Sequence, residues 1–311
     1  MADTDIEWAT KVWNFVRGCR RVSAGCGGPC GEGGCYAERE AYRFSAPGLP
    51  YHGLVTLGTH GPRWTGKGSF IVEKLWDPFK WQLRPDGSRH RVFVNSMSDL
   101  FFEAFSNEQI AAGFGVMATC PRHNFIVLTK RASRARDWYR WLQERPLALS
   151  EGEARVCVEE AYALERGTDR MLNAKPQPWP LPNVWIGPSA ENQETYNQRV
   201  PLMVHAVPAA VHCASLEPLL GPIDLRATGR LHLDWVIVGG ESGYRARPCA
   251  LEWIESIVEQ CDAERIPVFV KQLGANATLR GKPFRQVNRK GADMAEWPAY
   301  LRCRDFPSEA T

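Results

Sequence analysis

Four of the chain's ten cysteines, Cys19, Cys26, Cys30 and Cys35, fall within seventeen positions. Thiols gathered at that density support three kinds of chemistry: a metal site, an iron–sulfur cluster, or disulfides. The stretch that carries them, residues 17–39, also holds seven glycines and Pro29. Glycine lets a backbone wrap a small object at little steric cost. The paired CxxC spacings of zinc ribbons are missing, although four cysteines suffice to close a tetrahedral zinc site. A flexible exposed loop is a poor place for oxidisable thiols with nothing bound. A redox cluster is therefore expected ahead of a structural zinc, and either ahead of free thiols. The remaining six cysteines, Cys120 to Cys303, are scattered and read as small buried hydrophobes.

The whole chain narrows the choice. Its first residues, Met1 to Trp8, are acidic and lack an apolar h-region, so they do not read as a signal peptide. No run of about 18 apolar residues suggests a membrane span. Ten cysteines without an export signal fit a reducing, cytoplasmic compartment, where thiols stay free or bind metal. With 311 residues, 44% of them hydrophobic, the chain can bury a substantial core in one large domain or two ordinary ones. Thirty-eight basic and 35 acidic residues leave a net charge of +3. Bulk charge therefore does not mark a nucleic-acid binder, although a local basic groove is compatible with it. The seven histidines show no metal-ligand spacing, and no Ser/His/Asp order stands out.

The elements that must position the cysteines follow a rhythm. An apolar stretch with Val12, Trp13, Phe15 and Val16 reads as a first strand entering the cysteine loop, and Tyr36 onward reads as a helix. From residue 91, nearly all-apolar strands alternate with helices: strands near 91–95, 124–129, 183–187, 210–215, 234–239 and 267–271. Helices are expected near 107–119, 132–143, 193–206 and 250–263. All-apolar strands suit a parallel sheet covered on both faces, and the alternation implies βαβ units. About seven strands suit an α/β fold of full or partial (β/α) TIM-like barrel type. Residues 145–182 interrupt the rhythm and read as a polar surface excursion of lid type with a helix over 151–166. The chain is thus expected to comprise a barrel domain, 1–275, with cysteine loop 17–39 and insertion 145–182, and a C-terminal extension, 276–311.

Polar residues crowd the C-terminal ends of these strands, where a parallel barrel places its chemistry. They include Asn95, Ser96, Ser98 and Asp99, Thr129 and Lys130, Ser189, Glu191 and Asn192, Ser215 and Glu217, Glu241 and Ser242, and Lys271 and Gln272. Some cap helices, as Ser, Asp and Asn routinely do; Ser189 and Asn107 fit that role. Glu217, between Leu216 and Pro218 after an apolar strand, fits a functional role better. A lone Gly-Gly pair such as Gly239-Gly240 is usually a tight turn. Lys130, Arg131, Arg134 and Arg136 form a basic run that, with Lys271 and the residues around 280–290, would line a phosphate-binding mouth or simply face solvent. Of the tryptophans, Trp64, Trp179 and Trp185 lie near loops that could stack bases.

Gly18-Cys19, Val22-Ser23, Gly25-Cys26 and Cys35-Tyr36-Ala37-Glu38 carry a resemblance to a three-cysteine-motif family of phage-type and bacterial proteins, itself similar to radical SAM enzymes. Further matching stretches are Ile6-Glu7-Trp8, Val94 to Phe101, Leu128 to Arg131, Asn183 to Gly187, Ser215 to Pro222, Asp234 to Gly243 and Lys271-Gln272. They run from residue 6 to about 274 and are more specific for the family than for an activity. One departure matters. The family usually has two residues between its second and third cysteines, whereas eight separate Cys26 from Cys35 here, with Cys30 among them. Six residues separate Cys19 from Cys26, unlike the commoner radical SAM spacing of three then two. The Tyr-Ala-Glu that follows favours Cys35 as third ligand, while Cys30 could replace it, add a fourth thiolate, or bind nothing.

The resemblance implies a 4Fe-4S cluster on Cys19, Cys26 and Cys35, with S-adenosylmethionine (SAM) on the open iron. A reducing electron donor would then start radical chemistry on a substrate at the rim, with a nucleic acid or nucleotide preferred. Glu217, Glu241 and Lys130 are the expected catalytic residues. Asn95, Ser98, Asp99, Glu191, Gly239 and Gly240 are the expected cofactor contacts. Two alternatives stay open: a barrel hydrolase using two of Glu191, Glu217 and Glu241 beside a structural zinc, and a non-catalytic nucleic-acid-binding protein with a zinc loop.

Overall fold

The computed structural model describes residues 4–150, 152–165 and 177–308. Seven short strands build its main sheet: β1 (Lys11–Trp13), β2 (His90–Val94), β3 (His123–Thr129), β4 (Val184–Pro188), β5 (Val211–Leu216), β6 (Trp235–Gly239) and β7 (Val268–Gln272). Their order in space is their order in the chain, and every neighbouring pair is parallel. The sheet curls into a half-barrel whose two edges are β1 and β7. The barrel expected from the sequence is therefore a partial one.

Alternation along each strand sorts side chains to two cores, because successive residues point to opposite faces. On β6, Val236 and Val238 join the outer core, while Trp235 and Ile237 point into the concave interior. There they meet Trp8, Ile126, Trp185 and Phe269. Both faces being covered explains why these strands read as unbroken apolar runs. Helices α1 (Tyr36–Arg43), α2 (Asn107–Thr119), α3 (Ala132–Gln143), α4 (Glu153–Glu165), α5 (Gln193–Ala206) and α6 (Leu251–Glu264) follow the expected positions within a few residues. Reciprocal capping fixes the starts of two of them: Ser106 with Gln109 for α2, and Asn192 with Thr195 for α5. Ser106 thus takes the capping place expected for Asn107.

Two regions depart from expectation. Helix α4 lies in the stretch read as a polar surface excursion, yet Val156, Cys157, Val158 and Ala161 are buried in the outer core with α2. A Cβ on Gly115 of α2 would lie 2.1 Å from the Cys157 carbonyl oxygen, so the two backbones touch. The described part of the insertion is a packed layer and forms no lid; residues 166–176 of it lie outside the described residues. The extension beyond residue 275 is stitched onto the barrel. Val270 N donates to Cys303 O at 2.8 Å, and Asp305 N to Val268 O at 3.0 Å. Phe306 then packs on Trp235 and Phe269, with the Arg91 guanidinium of β2 4.1 Å above its ring.

Between β1 and β2 the chain makes its longest detour, which carries the cysteines, α1 and a hairpin of Val55–Gly58 with Gly61–Trp64. Its ends are zipped together where Val16 and Arg17 pair antiparallel with Phe70 and Ser69.

The closest approach between strands gives a test of the fold. A Cβ on Gly187 of β4 would sit 1.6 Å from the Cys213 carbonyl oxygen of β5. Gly187→Ala is expected to cost about 3 kcal/mol or more and to lower Tm by roughly 5–10 °C, or to prevent folding. Gly221→Ala, whose new Cβ meets nothing nearer than 4.0 Å, is expected to leave the thermal unfolding curve unchanged.

Candidate functional site

A cavity of about 240 Å³ opens at the C-terminal ends of the strands. Cys19, Cys26 and Cys35 form one wall; Glu217 and Lys271 contribute to the lining from β5 and β7. Trp8, Phe93 and Leu128 give it an apolar floor, and Tyr36, Arg39 and Trp64 reach it from α1 and the hairpin. Cys30 is exposed and does not line it.

The cysteine loop is held onto the strand ends by buried ion pairs. Arg131, at the start of α3, donates to Asp99 at 3.3 Å and Glu103 at 3.1 Å, and its Nη2 reaches the Arg20 carbonyl at 2.8 Å. Asp99 is oriented in turn by the Thr129 hydroxyl at 2.8 Å and Lys130 N at 3.0 Å. On the other side Glu241 accepts from Gly34 N at 3.1 Å and from Arg247 at 2.7 and 2.8 Å. Arg247 uses its remaining nitrogen on the Ala24 carbonyl at 2.7 Å. A Cβ on Gly33 (φ +58°) would collide with the Glu241 carboxylate, so both the conformation and the space demand glycine. Glu38 of α1, buried, accepts from Arg21 Nε at 3.1 Å and from Trp64 N at 3.1 Å, tying loop, helix and hairpin together. Glu191, buried beneath Gly25, pairs with Arg199 at 3.1 Å.

These contacts set the protonation of the site. Burial pushes the Cys19 thiol up to about 12; Asp99, Cys35 and Cys26 add to the rise and Arg131 opposes it. Burial and the neighbouring Cys26 raise Cys35 as well. The three cysteines are thus electrostatic neighbours. Burial alone would raise the Glu241 carboxyl, yet the hydrogen bonds and charge of Arg247 hold it below its ordinary value. Glu191 is likewise lowered against burial, with Ser23, Arg199, Gly25 and Lys130 outweighing desolvation.

The residues singled out from the sequence divide accordingly. Cys19, Cys26, Cys35, Ser98, Asp99, Lys130, Glu217, Gly240 and Glu241 all line the cavity; Asn95, Glu191 and Gly239 do not. Asn95 (φ +59°) makes the turn after β2, and its Oδ1 accepts from Val16 N at 3.4 Å. Ser98 donates to Val16 O at 3.0 Å. Gly239 and Gly240 allow close approach of β7: a Cβ on Gly240 would lie 2.2 Å from Leu273 O. Glu241 and Asp99 spend their oxygens on the clamps. Glu217 instead faces the cavity, joined to Lys271 Nζ at 3.1 Å and to the Ser215 hydroxyl at 3.2 Å. Lys130 has no carboxylate within ion-pair distance among the described residues.

The basic run also splits. Lys130 and Arg131 line the cavity, while Arg134 donates to Phe105 O at 3.3 Å and Arg136 pairs with Asp137. The basic residues of 280–290 do not line it. Of the three tryptophans, Trp64 is at the mouth; Trp179 packs with Tyr139 and Trp138, and Trp185 is buried in the concave core. Arg247 and Arg39 were not foreseen as site residues; Ser215, expected among the polar residues at the strand ends, lines the cavity. Arg247 lies in a Gly/Pro-rich turn, and only its position six residues after Glu241 hints at pairing.

A model for the family described as "Protein of unknown function (DUF5131)" matches residues 3–298. The chain belongs to this family. No curated protein and no solved structure matches it. The match to the DUF5131 family spans the half-barrel, the cysteine loop and most of the C-terminal extension. Among the described residues of this DUF5131 protein, no helix is long and apolar enough to cross a membrane.

Breaking the Glu241–Arg247 clamp should free the loop. Arg247→Ala leaves a buried carboxylate unpaired and is expected to cost about 3 kcal/mol. Native-state alkylation read by peptide mass spectrometry checks the local consequence. Cys30 is expected to react first in the wild type, whereas Cys26 and Cys35 become reactive alongside it in Arg247→Ala.

Proposed function

We propose that this protein is an iron–sulfur enzyme of radical SAM type, acting on a nucleic acid or nucleotide. The observation that carries the reading is the gathering of Cys19, Cys26 and Cys35, without Cys30, on one wall of the cavity at the strand ends. Their donor set suits a cluster. An iron–sulfur cluster draws its thiolates to separate irons. The resemblance of Cys35-Tyr36-Ala37-Glu38 and the earlier cysteines to the three-cysteine motif points the same way.

Cys19, Cys26 and Cys35 would hold a 4Fe-4S cluster. Together with SAM, and given an electron from a reducing donor, it would supply a radical able to take hydrogen from the substrate. The chain's own residues perform the rest. Arg131 and Arg247 hold the loop in place through its backbone carbonyls. The Glu217–Lys271 pair presents a fixed acceptor and a fixed donor to whatever enters. Lys130 and Arg39 offer positive charge, and Trp8, Phe93 and Leu128 keep water from the floor. Hydrolysis by paired carboxylates finds less support: of Glu191, Glu217 and Glu241, the first is outside the cavity and the last is locked to Arg247.

The test is anaerobic reconstitution, with iron and sulfide analysis and EPR of the reduced protein with and without SAM. About four irons per chain and a SAM-altered signal are expected. Alanine at Cys19, Cys26 or Cys35 should abolish iron uptake, and Cys30→Ala should preserve both iron and SAM response. Stoichiometric zinc without iron uptake would overturn the proposal. A cluster indifferent to SAM and lost in Cys30→Ala would mean four-thiolate ligation and would remove SAM chemistry.

A further inference from the structure

We infer that the face formed by α1 and the Val55–Trp64 hairpin, beside the cavity mouth, is a binding platform for single-stranded nucleic acid. The first ground is charge. Residues 17–70 hold seven Arg and Lys against three Glu, a net +4, while the whole chain nets only +3. Residues 280–290 add five basic residues and no acidic one, but none of them lines the cavity, so the basic stretch at its mouth is the detour that covers it. Two of its three carboxylates are already matched: Glu38 by Arg21 and Arg63, and Glu40 by Arg43. Among the described residues, Arg17, Arg20, Arg39 and Lys67 have no carboxylate partner. Arg20 lies against Gly66 of the hairpin connection, and Arg39 against Gly243 on the far side of the mouth. Lys130 adds a further unmatched cation to the lining of the same cavity.

The second ground is the aromatic surface. Tyr36 is 45% exposed, Tyr42 40% and Phe44 50%, while Tyr244, after the clamp residue Glu241, is 84% exposed. Rings of that size are normally buried. Exposed rings among unmatched cations are the elements of single-strand recognition, in which bases stack on aromatic faces and phosphates meet Arg and Lys. An acidic protein partner would use the charges but has no need of the rings.

The inference deepens the proposed function, since it takes the cavity as the place where the bound strand reacts. Binding itself needs no iron, so the two can fail separately. The experiment is fluorescence anisotropy with a labelled 12-mer of single-stranded DNA and its RNA counterpart, on the full chain before and after cluster reconstitution. Both forms of the protein are expected to bind at 50 mM salt, with affinity falling steeply as salt rises. Tyr42→Ala with Phe44→Ala should weaken binding roughly 5- to 150-fold at constant salt slope, the range of one stacked base. Arg20→Glu with Lys67→Glu should reduce the salt slope by about 1.4, the share of two phosphates on a single strand. Arg230→Glu, at an exposed site on the β5–β6 connection, is the control and should change nothing. No binding at 50 mM salt overturns the inference, as does binding indifferent to both double variants. Equal binding of polyglutamate, lost with the charges but not with the rings, overturns it in favour of an acidic protein partner. Oligonucleotide binding by a chain that takes up no iron on reconstitution leaves the platform standing and removes the radical reading of the cavity.

Discussion

The cavity end of this molecule depends on two arginine–carboxylate pairs that grip a glycine-rich loop by its backbone. Arg131 with Asp99 holds the carbonyl of Arg20, and Arg247 with Glu241 holds the carbonyl of Ala24 and the amide of Gly34. A loop with seven glycines has few side chains with which to anchor itself, and its conformational entropy is large. Apart from Arg21 on Glu38, the anchors come from outside and take hold of backbone groups. Planar guanidinium groups suit this use, since one fork binds a carboxylate while a remaining N–H reaches a carbonyl. Burial makes both pairs costly to break, because a lone charge left in the site has no water to turn to.

The half-barrel supplies the fixed points. Asp99 follows β2, Arg131 follows β3, Glu191 follows β4 and Glu241 follows β6. Parallel strands in sequential order bring all four ends to one rim, so anchors 142 residues apart in the chain meet a single loop. Clamping polar side chains so close to an apolar interior requires that each be satisfied. The oxygens of Asp99 and Glu241 meet that requirement through hydroxyl, amide and guanidinium donors.

Much of this architecture was legible in the sequence, for identifiable reasons. Runs such as Trp235-Val236-Ile237-Val238 are unbroken because both faces of the strand are covered, and their lengths set the strand boundaries. Helices α2, α3 and α5 show equally plain starts and stops. The burial of α4 was not legible, since its mix of Arg155, Glu159 and Glu160 with Val156 and Val158 looks polar until α2 is set against it. The rim was recognisable as a rim, but the duties of its residues were not. Glu217 and Glu241 both follow an apolar strand, and nothing local distinguishes them. What separates them is Arg247, supplied by an irregular turn without periodicity, which claims Glu241 and leaves Glu217 to face the cavity beside Lys271.

The proposed reading asks the cavity to accept negative charge along with its ligands. Without a bound group the thiols of Cys19 and Cys35 stay protonated, because burial and mutual repulsion disfavour thiolates. Ligation by thiolate therefore releases protons and adds negative charge to a partly desolvated wall. The surroundings already contain the compensation. Arg131 stands near Cys19, and Arg21 is close enough to Cys26 and Cys35 to be influenced by both. Lys130 and Arg39 reach the same space without carboxylates of their own among the described residues. Arg131 and Arg21 already answer Asp99, Glu103 and Glu38, so the charge left to offset an anionic wall is that of Lys130 and Arg39, and further unpaired cations extend outward over residues 17–70, where they meet the exposed rings of α1.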